Sequence, residues 1–284
     1  MIVRDILNES TKALEAAGIP SPRLDAEVLL SFCLGCERLE FYKNPARRIN
    51  DKELAVFQKL VDRRLKWEPV AYIIGRKEFW SFVLEVNNSV LIPRPDTEVL
   101  VEETLNIIKT INSAEIKILD IGTGSGAIAL ALAKEITGAK ITATDISSAA
   151  LAVAKKNARN LGLDSLIDFR QGNLLEPVDD FFDIIVSNPP YIAEEEYRNL
   201  PRGVKDYEPP ETLLAGVQGT EFYEKIINQA HDHLKSAGWL LLEIGSTQAA
   251  DIKKIAEASG RYKDISVRND YAGRPRVIKA RRIN

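Results

Sequence analysis

The chain is poor in the residues that build metal and redox centres: its 284 residues include two cysteines, two histidines and one methionine. Cys33 and Cys36 stand at C-x-x-C spacing, but a structural zinc site takes about four ligands. No second cysteine pair exists, and His231 and His233 lie far along the chain. A redox pair at this spacing usually opens a helix after a strand. Here Leu29, Leu30, Phe32, Cys33 and Leu34 read instead as the buried part of a helix that Gly35 ends. The cysteines are therefore expected to act as small buried apolar residues, and no metal is expected.

Long hydrophobic runs are also missing. The longest, Ala127 to Ala133, falls far short of the ~18 residues that cross a bilayer, so no membrane partner is expected. The start, Met1-Ile2-Val3-Arg4-Asp5, lacks a charged segment leading into a long apolar stretch, and no signal peptide is expected. Excess charge is absent too: 38 basic against 41 acidic residues leave a formal charge of −3. That balance argues against a protein whose main task is gripping nucleic-acid phosphates. The expectation is a cytoplasmic protein, and at roughly 150 residues per domain the length suggests two domains. With 45% apolar residues there is enough material for an ordinary core.

The sequence has two textures. Over residues 1–74 apolar residues recur at helical steps: Ile2, Val3, Ile6, Leu7, Ala13, Leu14 and Ala17 precede a stop at Gly18. Ser21-Pro22 opens a second helix through Leu34, and Asp51 is expected to cap a third with Leu54, Phe57, Leu60, Val61 and Leu65 on one face. The segment is slightly basic, the remainder slightly acidic. Residues 75–92 read as a hairpin linker, with Phe79 to Val86 and Val90 to Ile92 joined by a turn at Asn87-Asn88. From 93 to 284, strand and helix signals alternate, which implies a mostly parallel sheet with helices on both faces. Ligands of such sheets sit at the carboxyl ends of the strands, by the topological switch point.

Chemistry-bearing residues cluster at three strand ends. Gly122-Thr123-Gly124-Ser125-Gly126 follows the first strand and opens a helix, so backbone N–H groups and close approach are available to a ligand. The spacing is G-x-G-x-G rather than the dinucleotide G-x-G-x-x-G, which suits an adenosyl ligand without a pyrophosphate. Asp145 ends the second strand, where a carboxylate can accept both ribose hydroxyls; capping of the following helix is an alternative that could coexist. Asn188-Pro189-Pro190-Tyr191 follows a later strand. Pro189 and Pro190 have no N–H and stiffen the turn. The Asn188 side-chain oxygen and the Pro189 carbonyl can together accept both hydrogens of a planar –NH₂ group, and Tyr191 offers a face for stacking. Methyl transfer to such a nitrogen is an in-line displacement that needs positioning more than a nucleophile.

These three motifs resemble the amino-group S-adenosylmethionine-dependent methyltransferases. Further stretches narrow the resemblance: Ser21 to Glu27, Pro69 to Gly75, Val90 to Glu98, Leu242 to Gly245 and Ala272 to Val277. With them, the whole chain resembles the bacterial protein-(glutamine-N5) methyltransferases that modify peptide chain release factors. The resemblance implies a Rossmann-like α/β sheet of seven strands, the last antiparallel, behind a small helical substrate-docking domain. It implies S-adenosyl-L-methionine as cofactor, S-adenosyl-L-homocysteine as product, and methylation of the glutamine in a Gly-Gly-Gln motif, which modulates translation termination. On it, Gly122, Thr123, Gly124, Ser125 and Gly126 wrap the methionine part, Asp145 holds the ribose, and Asn173 and Leu174 flank the adenine. Asn188, Pro189, Pro190 and Tyr191 bind the glutamine amide, and Arg94 to Glu98 closes over the site. Many members carry Asp and Trp where this chain has Asn173 and Leu174, so charge assistance and π-stacking at the adenine are lost. Ala215 to Gly219 also departs from the family and receives no role. The alternative is an amino methyltransferase acting on adenine or guanine in nucleic acid. It predicts a basic face or an inserted recognition domain, neither of which is evident, so direct nucleic-acid binding is not expected.

Overall fold

The computed structural model describes residues 1–111, 113 and 115–283. The chain divides into two compact units: Met1–Arg76 with Pro201–Tyr207, and Lys77–Leu200 with the chain from Glu208 on.

The first unit is helical. Helices α1 (Val3–Ala16), α2 (Pro22–Leu34) and α3 (Asp51–Leu65) bury Leu7, Leu14, Leu29, Leu30 and Phe57 in one core. Pro22 takes the first helical position of α2, but the Ser21 side chain makes no capping bond. The cap of α3 is Asn50 rather than Asp51: Asn50 Oδ1 accepts from the Glu53 N–H at 2.9 Å, and Glu53 Oε2 accepts from the Asn50 N–H at 2.9 Å. This reciprocal pair satisfies two donors with one turn of side chains, which an Asp51 cap would leave one residue out of phase. Cys33 and Cys36 lie half-buried against the core as free thiols. Burial pushes the Cys33 thiol up, and its Sγ donates to the Glu53 carbonyl. Segment Pro201–Tyr207 joins this unit through chemistry as well as proximity. The Tyr207 hydroxyl donates to the Lys66 carbonyl at 2.8 Å, and the Arg202 guanidinium lies 5.6 Å from the Trp67 ring centre.

The second unit carries a seven-stranded sheet. Its strands are β1 (Lys117–Ile121), β2 (Lys140–Asp145), β3 (Ile167–Gln171), β4 (Phe182–Ser187), β5 (Leu234–Glu243), β6 (Tyr262–Asn269) and β7 (Pro275–Arg282). They lie in the order β6-β7-β5-β4-β1-β2-β3, and β7 alone runs antiparallel to both neighbours. Helices α4 (Glu98–Ile108), α5 (Ala127–Glu135) and α6 (Ser148–Leu161) cover one face; α7 (Glu221–His233) and α8 (Ala249–Ala258) cover the other. Successive residues of a strand point to opposite faces. Ile118, Ile184 and Leu241 accordingly join the first core, and Leu119, Ile185 and Leu240 the second. Both faces being covered explains why β1 and β4 read as near-continuous apolar runs.

The hairpin differs from its sequence reading. Its strands are Arg76–Phe79 and Phe82–Glu85, so the chain reverses at Trp80-Ser81 and not at Asn87-Asn88. Trp80 adopts a left-handed φ of 57°, and its N–H is taken up by Glu98 Oε1 at 2.8 Å. That bond stabilises a conformation a tryptophan would otherwise avoid, which composition cannot signal. Phe79, Phe82 and Leu84 pack into the core with Val99 and Leu130, so the segment belongs to the sheet unit's interior rather than acting as a free linker.

The capping pair yields a direct prediction. Asn50→Ala should cost the protein about 1 kcal/mol, read as a lower urea midpoint for the loss of helical signal. An unchanged midpoint would contradict the assigned cap.

Candidate functional site

The site forms where β1 and β4 end side by side. Ile121 and Ser187 are in register, and the Ser187 hydroxyl donates to the Ile121 carbonyl at 2.8 Å. The order of strands reverses here, because β1 is followed on one side by β2 and β3 and on the other by β4 and β5. Diverging connections at such a point open a crevice. The crevice is lined by Gly122, Thr123, Gly124 and Ser125, by Asp145, by Asn173 and Leu174, and by Asn188, Pro189 and Pro190.

Each wall has a local cause. The N–H groups of Gly122 and Thr123 both donate to the Thr144 carbonyl at 2.9 Å, which turns the chain sharply after β1. Gly122 and Gly124 adopt φ of 71° and 55° and have open space where a Cβ would stand. Only glycine takes that conformation without strain while leaving the backbone bare to a ligand. Beneath the loop, Asp120 Oδ2 accepts from the Thr123 hydroxyl at 2.7 Å and from the Ala129 N–H at 3.2 Å. Asp120 is fully buried, and its Oδ1 has no partner among the described residues. Burial, reinforced by the nearby Asp145 charge, raises its carboxyl from 3.8 to about 7 against the opposing hydrogen bonds.

Asp145 Oδ2 accepts from the Gly124 N–H at 2.8 Å, and its Oδ1 accepts from the Ser147 N–H at 2.9 Å. The cap of α6 is Ser147, whose side chain accepts from the Ala150 N–H. Burial raises the Asp145 carboxyl above its ordinary value, with Glu211 across the crevice adding a smaller push. Asn173 Nδ2 donates to Glu176 Oε1 at 3.2 Å, which leaves its oxygen as the free end. Leu174 holds a left-handed φ of 53°, and its carbonyl accepts from the Thr144 hydroxyl at 3.1 Å.

The Asn-Pro-Pro-Tyr turn departs from β4. Asn188 Nδ2 donates to the Thr97 hydroxyl at 3.3 Å. Two expected site residues do not line the crevice. Gly126 caps α5, and a Cβ there would meet Leu130 and Ala154 at 3.1 and 3.3 Å, so its role is close packing of the helix start. The half-buried Tyr191 side chain packs against the second core, beside Glu243, Arg276 and Asp96. Burial pushes its phenol up to about 12. The Tyr191 carbonyl accepts from Gln248 Nε2 at 2.9 Å.

Other lining residues escaped the sequence reading: Ser89 after the hairpin, Glu211 and Thr212 before the short strand Leu214–Gly216, and Phe222 at the start of α7. No motif marks them. Arg94 does line the crevice, as the Arg94 to Glu98 stretch suggested, and pairs with the buried Glu208 at 2.5 Å. Glu208 also accepts from the Ile92 N–H, so one buried carboxylate anchors this stretch at two points. No helix among the described residues is long and apolar enough to cross a membrane.

Comparison with known proteins agrees with this geometry. A family model described as the PrmC N-terminal domain matches residues 5–75, and one described as the methyltransferase small domain matches residues 97–200. The chain is 41% identical to the release factor glutamine methyltransferase of Rhodopirellula baltica, over 97% of this chain and 95% of that protein. It is 39% identical to the protein of the same name from Koribacter versatilis, over 99% of both. Among solved structures, a methyltransferase from Pyrococcus furiosus matches with a TM-score of 0.52 at 21% identity, covering 71% of this chain and 89% of that one, which shows a shared fold.

The buried carboxyl under the glycine loop gives a stability prediction. A carboxyl with a raised native pKa binds its proton more tightly folded than unfolded, so stability is lost as pH rises from 3.8 to about 7. Asp120→Asn removes that titration. The variant should gain on the wild type across this window in urea melts at a series of pH values, whereas parallel curves would show that Asp120 ionises normally.

Proposed function

This chain belongs to the release factor glutamine methyltransferases, and from that premise we propose that it transfers a methyl group from S-adenosyl-L-methionine to the side-chain amide nitrogen of a release-factor glutamine. The observation that carries the reading is the placement of Asn188 and Pro189 in one crevice with the glycine loop and Asp145.

The residues present fit this cofactor. Gly122 and Gly124 leave bare backbone for its methionine end, and Asp145 keeps lone pairs for the ribose hydroxyls beyond those given to Gly124 and Ser147. The free oxygen of Asn173 can accept from an adenine amino group, while Leu174 packs on the ring. When bound, S-adenosyl-L-methionine supplies an electrophilic methyl on a sulfonium. Asn188 Oδ1 and the Pro189 carbonyl accept the two amide hydrogens, which turns the nitrogen toward the glycine loop. An amide nitrogen is a poor nucleophile, so the turn's rigidity matters: two prolines fix the backbone against which it is aimed. Positioning of this kind can supply up to ~7–11 kcal/mol of a barrier. No residue is needed as covalent nucleophile. The helical unit, residues 1–74, serves as the docking surface for the protein substrate in the cytoplasm.

Labelled S-adenosyl-L-methionine offered with a release factor, with DNA and with ribosomal RNA separates this reading from a nucleic-acid activity. Label should appear on the release-factor glutamine; label confined to nucleic acid would overturn the proposal. Asn188→Ala removes an acceptor worth ~1–3 kcal/mol and the aim it provides, and should abolish turnover while cofactor binding persists. Wild-type turnover in that variant would show that the amide is held elsewhere.

A further inference from the structure

The Asn-Pro-Pro-Tyr turn is fixed at its start by strand pairing and stiffened in its middle by two prolines. Its far end is held in two ways. The first is backbone pairing: the Ile192 N–H donates to the Leu213 carbonyl at 2.9 Å, and Ile192–Ala193 runs parallel to Leu214–Gly216. The second is the side chain of Gln248. This residue stands at the start of α8, yet its side chain makes no capping bond to that helix. Its amide is spent on three loops instead. Nε2 donates to the Tyr191 carbonyl at 2.9 Å and to the Gly219 carbonyl at 3.1 Å, while Oε1 accepts from the Gly245 N–H at 3.1 Å. A side-chain amide has two hydrogens to give, and here both go to backbone. Turned the other way, it would set oxygen against two carbonyls and NH₂ against an N–H, so one orientation alone satisfies all three partners. The neighbours are shaped to this junction. A Cβ on Gly219 would stand 2.8 Å from the Tyr191 carbonyl oxygen and 3.0 Å from Gln248 Nε2, and one on Gly245 would stand 2.6 Å from Gln248 Oε1. Any side chain at either position would push the junction apart.

We propose that Gln248 is a positioning residue for methyl transfer: it locks the exit of the Asn-Pro-Pro-Tyr turn to the loop Ala215–Gly219 and so keeps Asn188 and Pro189 aimed at the glycine loop. The inference rests on the amide pocket proposed above. Tyr191 is two residues from Pro189, and Pro190 between them has a fixed φ, so a shift at the Tyr191 carbonyl passes to Pro189 instead of being absorbed. Gly219 in turn lies between Thr212 and Phe222, which both line the crevice. One amide therefore ties the turn to a second wall. That wall is braced from its own side, because the Gln218 N–H donates to Glu221 Oε1 at 2.8 Å. The stretch Ala215–Gly219, which carries no recognisable motif, thus gains a task as the anchor of the turn. Gln248 itself does not line the crevice and acts only through the backbone it holds.

The test compares Gln248→Met, Gln248→Glu and Gly219→Ala with the wild type on an intact release factor at saturating S-adenosyl-L-methionine. Affinity for S-adenosyl-L-homocysteine serves as the control for fold and cofactor loop. Gln248→Met keeps the length of the side chain and removes all three bonds. It should lower kcat about tenfold through misplacement of the turn, with KM for the release factor and homocysteine-product affinity unchanged. Gln248→Glu keeps the acceptor for Gly245 but turns an oxygen on two carbonyls, and its kcat should fall further. Gly219→Ala presses on the same junction from the other side and should lower kcat in the same selective way. Wild-type kcat in Gln248→Met or in Gly219→Ala, a loss shared equally by homocysteine-product affinity, or a Gln248→Glu variant no worse than Gln248→Met would overturn the role of Gln248. Those results leave the amide pocket standing, whereas a wild type inert toward the release factor would overturn the pocket itself.

Discussion

The bond from the Ser187 hydroxyl to the Ile121 carbonyl joins two parallel strands at the point where both turn away from the sheet. Everything at the site departs from that junction. The glycine loop leaves β1 one residue later, and the Asn-Pro-Pro-Tyr turn leaves β4 one residue later. Because the strands are in register, the glycine loop and the Asn-Pro-Pro-Tyr turn emerge at the same height. A slip of one residue would face Asn188 to the opposite side of the sheet. The relative placement of the two loops is thus set by backbone pairing.

Charge in the crevice is arranged in the same economical way. Asp120, Asp145 and Glu243 are acids whose carboxyls are raised by burial, and the first two are held by donors from the glycine loop. Asp120 braces that loop through Thr123, and Asp145 ties it to α6. Of these acids only Asp145 lines the crevice, where Glu211 is the other lining acid.

Much of this was legible from residue order. The alternation of strand and helix from residue 93 on is borne out by the seven-stranded sheet with helices on both faces. The crevice residues at the ends of β1, β2 and β4 were legible because strand-end glycines, acids and prolines are rare combinations. Three kinds of feature were not. The hairpin reverses at Trp80, whose left-handed backbone is stabilised by Glu98, a residue outside the hairpin. Tyr191 sits in the motif yet packs against the second core, beside Glu243 and Arg276 from far along the chain. Glu211 and Phe222 reach the crevice from distant stretches and carry no local signature. What sequence order conveys is chemistry at strand ends; what it omits is which remote side chain steadies that chemistry.

The central claim is that Asn188 and Pro189 grip both hydrogens of a glutamine amide in front of the cofactor loop. A crystal structure with S-adenosyl-L-homocysteine and a Gly-Gly-Gln peptide tests it most directly. The account predicts the glutamine amide nitrogen at hydrogen-bond distance, about 2.9 Å, from both Asn188 Oδ1 and the Pro189 carbonyl, facing the homocysteine sulfur. A glutamine bound elsewhere, or held with its carbonyl oxygen toward Asn188, would contradict it.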